Sequence, residues 1–325
     1  MHDDGHIRTV LACWGIVDGV AWQALHHKGT VVLVTTAASD QLVLKEVGDA
    51  TQADRLYAEY ELLLHLHGSG VPVAMPLPVV DGLPFATYAG KLYTLAPYLL
   101  AGAAEGSMDL KIAYANLGSA IAALHEALAT YPGTITSWTM DLPARVFDDA
   151  VPVIRAHLEG REQRRFEHVL GEMGTGMRGR LADLPLRRIH GDCHTGNVLL
   201  HGNTVAGFVD FDHLPVGPAS YDICYALVDH LKQWVADAEQ AARWLGAFDR
   251  AVVGYKRVLG LSAREERALW SMMLAIQLLF ASWMFLHGNR VAAGLNMQAF
   301  YWLYEHRDEI TRRVLEATGG RRERQ

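Results

Sequence analysis

Two stretches decide how this chain is read: His190-Gly-Asp-Cys-His-Thr-Gly-Asn197 and Phe208-Val-Asp-Phe-Asp212. Four residues separate Asp192 from Asn197, and a second acid, Asp210, follows after a short stretch that holds the turn sequence His201-Gly-Asn203. Short apolar runs at 186–189, 198–200 and 205–209 flank these groups, so the two acids are expected at the rigid ends of strands.

Those residue types in that order suit phosphoryl transfer, which needs metal ions, aligned oxygens and charge stabilisation but little covalent chemistry from the protein. Asp192 can accept a hydrogen bond from an attacking hydroxyl and orient it. Asn197 offers a neutral oxygen to a divalent cation, and Asp210 offers anionic oxygens to the same hard ion. The cofactors expected are ATP and Mg2+. His190 is expected to brace the loop. A competing reading makes His190, Asp192 and His194 zinc ligands of a hydrolase, but it leaves Asn197 and Asp210 idle. Asp212 is expected to hydrogen-bond loop amides or to ligand a second metal. Asp222 is expected to cap the helix that follows and to support the loop.

Further out, Lys45 stands inside the apolar run Gln41-Leu-Val-Leu-Lys-Glu-Val47. A lysine in such a run is costly unless an anion meets it, and the phosphates of ATP supply one, with Glu59 or Glu61 on the next helix as a tether. Glu59 fits better, bordering a face of Leu56, Tyr60, Leu63, Leu64 and His67. The backbones of Ala96 and Tyr98, in Leu95-Ala-Pro-Tyr-Leu99, are expected to bind adenine. No Gly-x4-Gly-Lys-Ser/Thr sequence exists, and Gly174-Thr-Gly-Met-Arg-Gly179 follows no strand and reads as a flexible loop.

The run 30–35 with 41–47 reads as an antiparallel hairpin, and 85–100 holds two more apolar runs around Gly90-Lys91. Beyond Gly102 the periodicity turns helical: Leu110, Ala113, Leu117, Ile121, Leu124 and Leu128 share a face, with Ser107 or Asp109 as cap. Gly260 and Gly294 read as breaks between later helices. The expected architecture is α+β with two lobes: 1–98, a small antiparallel sheet with a helix for nucleotide, and 99–325, mainly helical, with the catalytic loop and the acceptor region.

These residues together resemble the aminoglycoside phosphotransferase and choline kinase superfamily, which has the protein-kinase-like fold. The resemblance rests on 190–199, on 207–212, on Gly217-Pro-Ala-Ser-Tyr-Asp222, on Leu124-His125-Glu126 and on the stretch from Glu59 through Gly70-Val-Pro-Val73 to Pro76. It implies Asp192 as catalytic base, Asn197 and Asp210 on magnesium, and Lys45 on ATP phosphates. It also implies a hydroxyl acceptor of the aminoglycoside, amino alcohol or homoserine kind. The His-Gly-Asp-Cys-His form of the loop is similar to the RdoA-like bacterial stress-response kinases, which act on protein Ser and Thr, so that acceptor is the alternative. A non-catalytic nucleotide-binding scaffold is the alternative of another class. The chain departs from protein kinases at Asp212 and lacks a Gly-rich loop, with only Gly29 at the first hairpin.

Composition sets the remaining bounds. Half of the 325 residues are hydrophobic, enough for a large core, and a net charge of −7 gives no footprint for nucleic acid. The C-terminal Arg321, Arg322 and Arg324 read as a solvated tail. Three scattered cysteines, Cys13, Cys193 and Cys224, fit a reducing compartment, and no secretory signal is evident, so a cytoplasmic location is expected. The stretch 268–286 is uncharged and long enough to span a bilayer, but reads as a buried helix, so no membrane partner is expected. The acidic balance suggests a cationic acceptor, to which Asp229, Asp237 or Glu239 could contribute although each reads first as ordinary surface charge; Trp234, Trp283 and Tyr301 could line its pocket but read first as core packing. The sequence specifies no oligomeric state.

Overall fold

The computed structural model describes residues 4–25, 31–102, 108–212 and 214–319. Gly29, Ser107 and the arginines of the C-terminal tail lie outside the described residues.

The first elements are α1 (Asp4–Ala12), β1 (Ala21–Ala24), β2 (Val31–Thr35), β3 (Gln41–Asp49), α2 (Ala53–Gly68), β4 (Ala86–Tyr88) and β5 (Lys91–Pro97). The strands form one antiparallel sheet in the order β1-β2-β3-β5-β4. Val32, Val34, Leu42, Leu44 and Leu95 bury one face against Ile7, Val10 and Leu11 of α1. The expected hairpin is β2–β3. On α2 the buried residues are Leu56, Leu62, Leu63 and Leu66, whereas Leu64 is 47% exposed, so the inward face is rotated from the one read in the sequence.

The chain continues through α3 (Leu110–Thr130), α4 (Leu142–Ala144), a π-helical turn (Arg145–Ala150), α5 (Val151–His157) and α6 (Gly160–Ala182). Next come β6 (Leu186–Arg188), β7 (Val198–His201), β8 (Thr204–Phe208) and β9 (Val216–Pro218). The helices α7 (Ser220–Trp234), α8 (Ala238–Val258), α9 (Ala263–Leu286), α10 (Arg290–Glu305) and α11 (Arg307–Gly319) follow. Asp109 caps α3, its Oδ1 accepting from Lys111 N at 2.9 Å. β6 pairs with β9, and β7 with β8.

Two glycine readings are corrected. Gly174 to Gly179 lies inside α6, because Val169, Leu170, Met173, Met177 and Leu181 form a buried stripe that outweighs the weak helix propensity of glycine. Gly294 lies inside α10. α9 is long and apolar enough to cross a membrane, with mean hydropathy 1.8, but 72% of its most apolar window is buried within the protein. α3 and α8 touch through glycines: a Cβ on Gly118 would lie 2.0 Å from Ala251 O, and one on Gly254 2.0 Å from Ala115 O.

The chain divides into two compact units. The first runs to Ala101 and takes in Thr130–Ile135 and Ala206–Asp212; the second comprises Gly102–Ala129, Thr136–Val205 and the chain after Asp212. In the first, Phe208 N donates to Pro72 O at 2.9 Å and Phe208 bridges to Val73. Gly207 leaves room for this approach: a Cβ would meet the tip of Leu99 at 2.5 Å and Pro72 O at 3.3 Å.

Candidate active site

In the second unit, β6 delivers the chain to His190, and the loop that follows is fixed from beneath by Asp222. This fully buried carboxylate accepts from His190 N at 2.8 Å, Gly191 N at 2.9 Å and His125 Nε2 at 2.9 Å. Tyr255 fixes the other side of that imidazole, its hydroxyl lying 2.8 Å from Nδ1. Burial pushes the Asp222 carboxyl up, but His125 and the loop amides outweigh burial and hold it below the ordinary carboxylate range. Asp222 does not cap α7, as the sequence suggested; it sits within the first turn and points its oxygens at the loop. Gly191, at φ +82°, has Pro215 where a side chain would be.

Asp192 and Asn197 come together. Asn197 Nδ2 donates to Asp192 Oδ2 at 2.9 Å and to Asp192 O at 3.0 Å, which leaves Asn197 Oδ1 as the amide atom able to ligand a cation. His190 is buried, and its Nδ1 accepts from Asp192 N at 3.3 Å, which fits a brace. The zinc reading finds no support, since no three His, Cys, Asp or Glu side chains converge on a metal site among the described residues. His194 Nε2 lies 3.6 Å from Asp192 Oδ2.

Two further groups hold this loop. Asp229, 5% exposed on α7, accepts from Thr195 N at 3.0 Å and Thr195 Oγ1 at 2.6 Å, and it pairs with Lys232. Tyr225 is buried beside the loop, its ring 4.6 Å from that of Phe280. Burial, and then the negative charge of Asp192, raise the Tyr225 phenol above its ordinary range. Asp229 had a readable signal, lying seven residues after Asp222 and so near the same face of α7.

In the first unit, Lys45 on β3 donates to Asp210 Oδ1 at 2.7 Å and lies 3.9 Å from Asp212 Oδ2. Burial works against the Lys45 charge, but Asp210, then Asp212 and Glu59, outweigh it and raise its pKa. Asp210 holds φ +68°, a left-handed backbone costly for a non-glycine residue and frequent at functional sites. Asp212 pairs with the cations Lys45 and Arg55, the latter at 3.1 Å, instead of loop amides. Arg55 was missed, although it lies one helical turn before Glu59. Glu59 makes no hydrogen bond or ion pair with Lys45 among the described residues. Burial and the charge of Asp212 raise it to about 7.

The adenine expectation needs correction. Tyr98 N donates to Gln41 O at 2.9 Å, and Ala96 lies opposite Val43, two register steps along. By the alternation of an antiparallel ladder both residues turn their backbone groups toward β3. Leu95 O, on the other edge, already accepts from Leu77 N at 2.7 Å. Alternation puts Pro97 O and Leu99 N on that edge, and neither has a backbone partner among the described residues.

Two of the three carboxylates expected to hold a cationic acceptor are committed. Asp237 caps α8 through Glu239 N and Gln240 N, at 2.9 and 3.1 Å, and Asp229 holds Thr195. Trp234 stacks on His230, Tyr301 carries Arg165 at 3.9 Å over its ring, and Trp283 is 51% exposed.

A five-stranded antiparallel sheet with a lysine–aspartate pair, and a mainly helical unit with a braced Asp-x4-Asn loop, define a phosphotransferase of protein-kinase-like fold. The chain belongs to the phosphotransferase enzyme family, whose profile matches residues 27–261. Among curated proteins it is 27% identical over 281 residues to homoserine kinase of Neisseria meningitidis, covering 81% of this chain and 82% of that one. It is 26% identical over 210 residues to stress response kinase A of Salmonella paratyphi A, covering 62% and 61%. Among solved structures it is similar in fold to the microcompartment-associated aminopropanol kinase (TM-score 0.68, 20% identity, covering 96% and 100%). The aminoglycoside phosphotransferase of Alicyclobacillus acidocaldarius is similar too (TM-score 0.67, 15% identity, covering 95% of each).

Proposed function

We propose that this chain transfers the γ-phosphoryl group of ATP, with Mg2+, to a hydroxyl of a small polar acceptor of the homoserine or amino alcohol kind. The observation that carries the reading is the Asp192–Asn197 bond. It holds the Asp192 carboxylate in a set orientation while freeing the Asn197 carbonyl oxygen for a cation. The first-unit residues fit the other half of the chemistry. Lys45, held by carboxylates, is a cation ready for phosphate oxygens, and Asp210 offers oxygens to a hard metal ion.

In this reading Asp192 accepts the proton-bearing side of the acceptor hydroxyl and aims its oxygen. Asp222 and Asp229 keep the loop from shifting, so the orientation is fixed before the acceptor arrives. Asn197 and Asp210 would hold Mg2+, which supplies charge neutralisation on the phosphates when bound; Lys45 would bind the phosphates. The amicoumacin kinase of similar fold was solved with AMP-PNP and Ca2+, which is in keeping with a nucleotide and a divalent cation here.

The test is ATP consumption and product formation with Mg2+ and a panel of homoserine, amino alcohols, aminoglycosides and casein. Asp192→Ala should abolish transfer and leave binding of AMP-PNP largely intact. Full activity in that variant would remove Asp192 from its role. Phosphorylated casein without a small-molecule product would favour the protein kinase alternative.

A further inference from the structure

We propose that Arg145 is the subsite for an anionic group on the acceptor, so that the enzyme selects hydroxyl compounds bearing a carboxylate; this rests on the phosphotransferase reading above. Arg145 opens the six-residue π-helical turn Arg145–Ala150. Such turns are rare, and they are frequent at functional sites, where the extra residue re-aims side chains.

Arg145 is half-buried, and its guanidinium lies over the ring of Trp138, 5.0 Å from its centre. Among the described residues its side chain makes no hydrogen bond and no ion pair. Several arginines of the neighbouring helices are matched: Arg155 pairs with Glu167, Arg178 with Asp148, and Arg180 donates to Ser271. Partly removing a cation from water without an anion is costly, and a ligand that brings the anion repays the cost. The planar guanidinium, steadied by the indole, suits the two oxygens of a carboxylate.

Its position relates it to the Asp192 loop within the same unit. Val216 N donates to Trp138 O at 2.9 Å, and Met140 N donates to Val216 O at 2.9 Å. The adjoining Pro215 packs where a side chain on Gly191 would stand, one residue before Asp192. The buried phenol of Tyr221 senses both groups. Burial raises its pKa, Arg145 opposes that shift, and Asp222 and Asp192 reinforce it. Of the carboxylates expected to hold a cationic acceptor, Asp237 is committed to a helix cap and Asp229 to Thr195.

The experiment compares matched acceptors with and without the carboxylate: L-homoserine against aminopropanol, and L-serine against ethanolamine. Initial rates with ATP and Mg2+ are measured for the wild type, Arg145→Gln and Arg145→Lys. Melting temperature and AMP-PNP affinity serve as checks on folding. The wild type should prefer one of the carboxylate-bearing acceptors, and Arg145→Gln should lower that preference about 30-fold, mainly through KM, the scale of one charge-assisted pair. Arg145→Lys should recover part of it. An unchanged ratio in Arg145→Gln overturns the inference. A wild type that favours the carboxylate-free member of each pair also overturns it, while leaving the kinase reading intact. No transfer to any acceptor in the wider panel ends both.

Discussion

His125 and Asp222 form a fully buried pair, imidazole Nε2 to carboxylate at 2.9 Å, and the same carboxylate holds the two backbone amides that precede Asp192. One side chain therefore joins α3, α7 and the loop. Asp222→Ala would leave three donors unpaired in a place water does not reach. We expect it to cost roughly 3–5 kcal/mol of stability and to abolish transfer. Urea denaturation measures the first, and a loss below about 1 kcal/mol would contradict it. The depressed Asp222 pKa gives a sign as well. Its contribution is present above the ordinary carboxylate value and is lost as pH falls through the lower folded value, so Asp222→Asn should flatten the acid limb of the stability curve.

Asp229 acts on the same loop from further along α7. Both Thr195 donors share Asp229 Oδ2, so Asp229→Asn could keep an oxygen for them but would remove the charge and set an amide donor against Lys232 Nζ at the Oδ1 position. We expect about a tenfold rise in the Mg2+ concentration for half-maximal rate, one lost charge-assisted bond, with less effect on acceptor KM. Thr195→Val should behave similarly, and the double variant should add little. Additive effects in a double-mutant cycle would show that the two residues do not act as a unit.

Glu59 makes stability depend on pH near neutrality. Burial and Asp212 raise its folded pKa to about 7, above its unfolded value of 4.5, so the fold favours the protonated acid. The contribution is fully present below the unfolded pKa and is lost as pH rises through about 7. Glu59→Gln should match the wild-type melting temperature near pH 4.5 and exceed it above pH 7. A constant difference across that window would rule out titration of Glu59 as its source.

Two glycines should respond in opposite directions to the same methyl group. Gly118→Ala would press on Ala251 O, and we expect a loss at or above the usual 1–3 kcal/mol for overpacking. Gly171→Ala, on an open face of α6 with nothing within 4 Å, should gain about 0.5–1 kcal/mol from helix propensity. Thermal melts of both variants check the contrast; destabilisation by Gly171→Ala would show that α6 needs that glycine.

The most legible features were those where residue type conflicted with its surroundings. Lys45 stood out as a charge within an apolar strand, and Asp192, Asn197 and Asp210 as polar groups at the ends of apolar runs. What escaped depended on partners remote in sequence. β1 is four mostly exposed residues with no alternation, and its pairing with β2 defines it. Tyr98 looked free until its register opposite Gln41 was known, and Asp222 looked like a cap because nothing local points to His190. The π-helical turn at Arg145 carries no sequence signature, and the glycines of α6 misled because a buried stripe outweighs local propensity.

The placement of Ala206–Asp212 in the first unit has a consequence for biosynthesis. On the ribosome the five sheet strands emerge early, yet Pro72 O waits for Phe208 N, and Lys45 waits for Asp210. The nascent amino-terminal unit therefore stays incomplete until Asp212 has been made and has emerged, which comes after the Asp192 loop. Separate expression of a fragment ending at Ala101 would yield a protein missing two of its own pieces, whereas co-expressing the two halves offers a route to complementation.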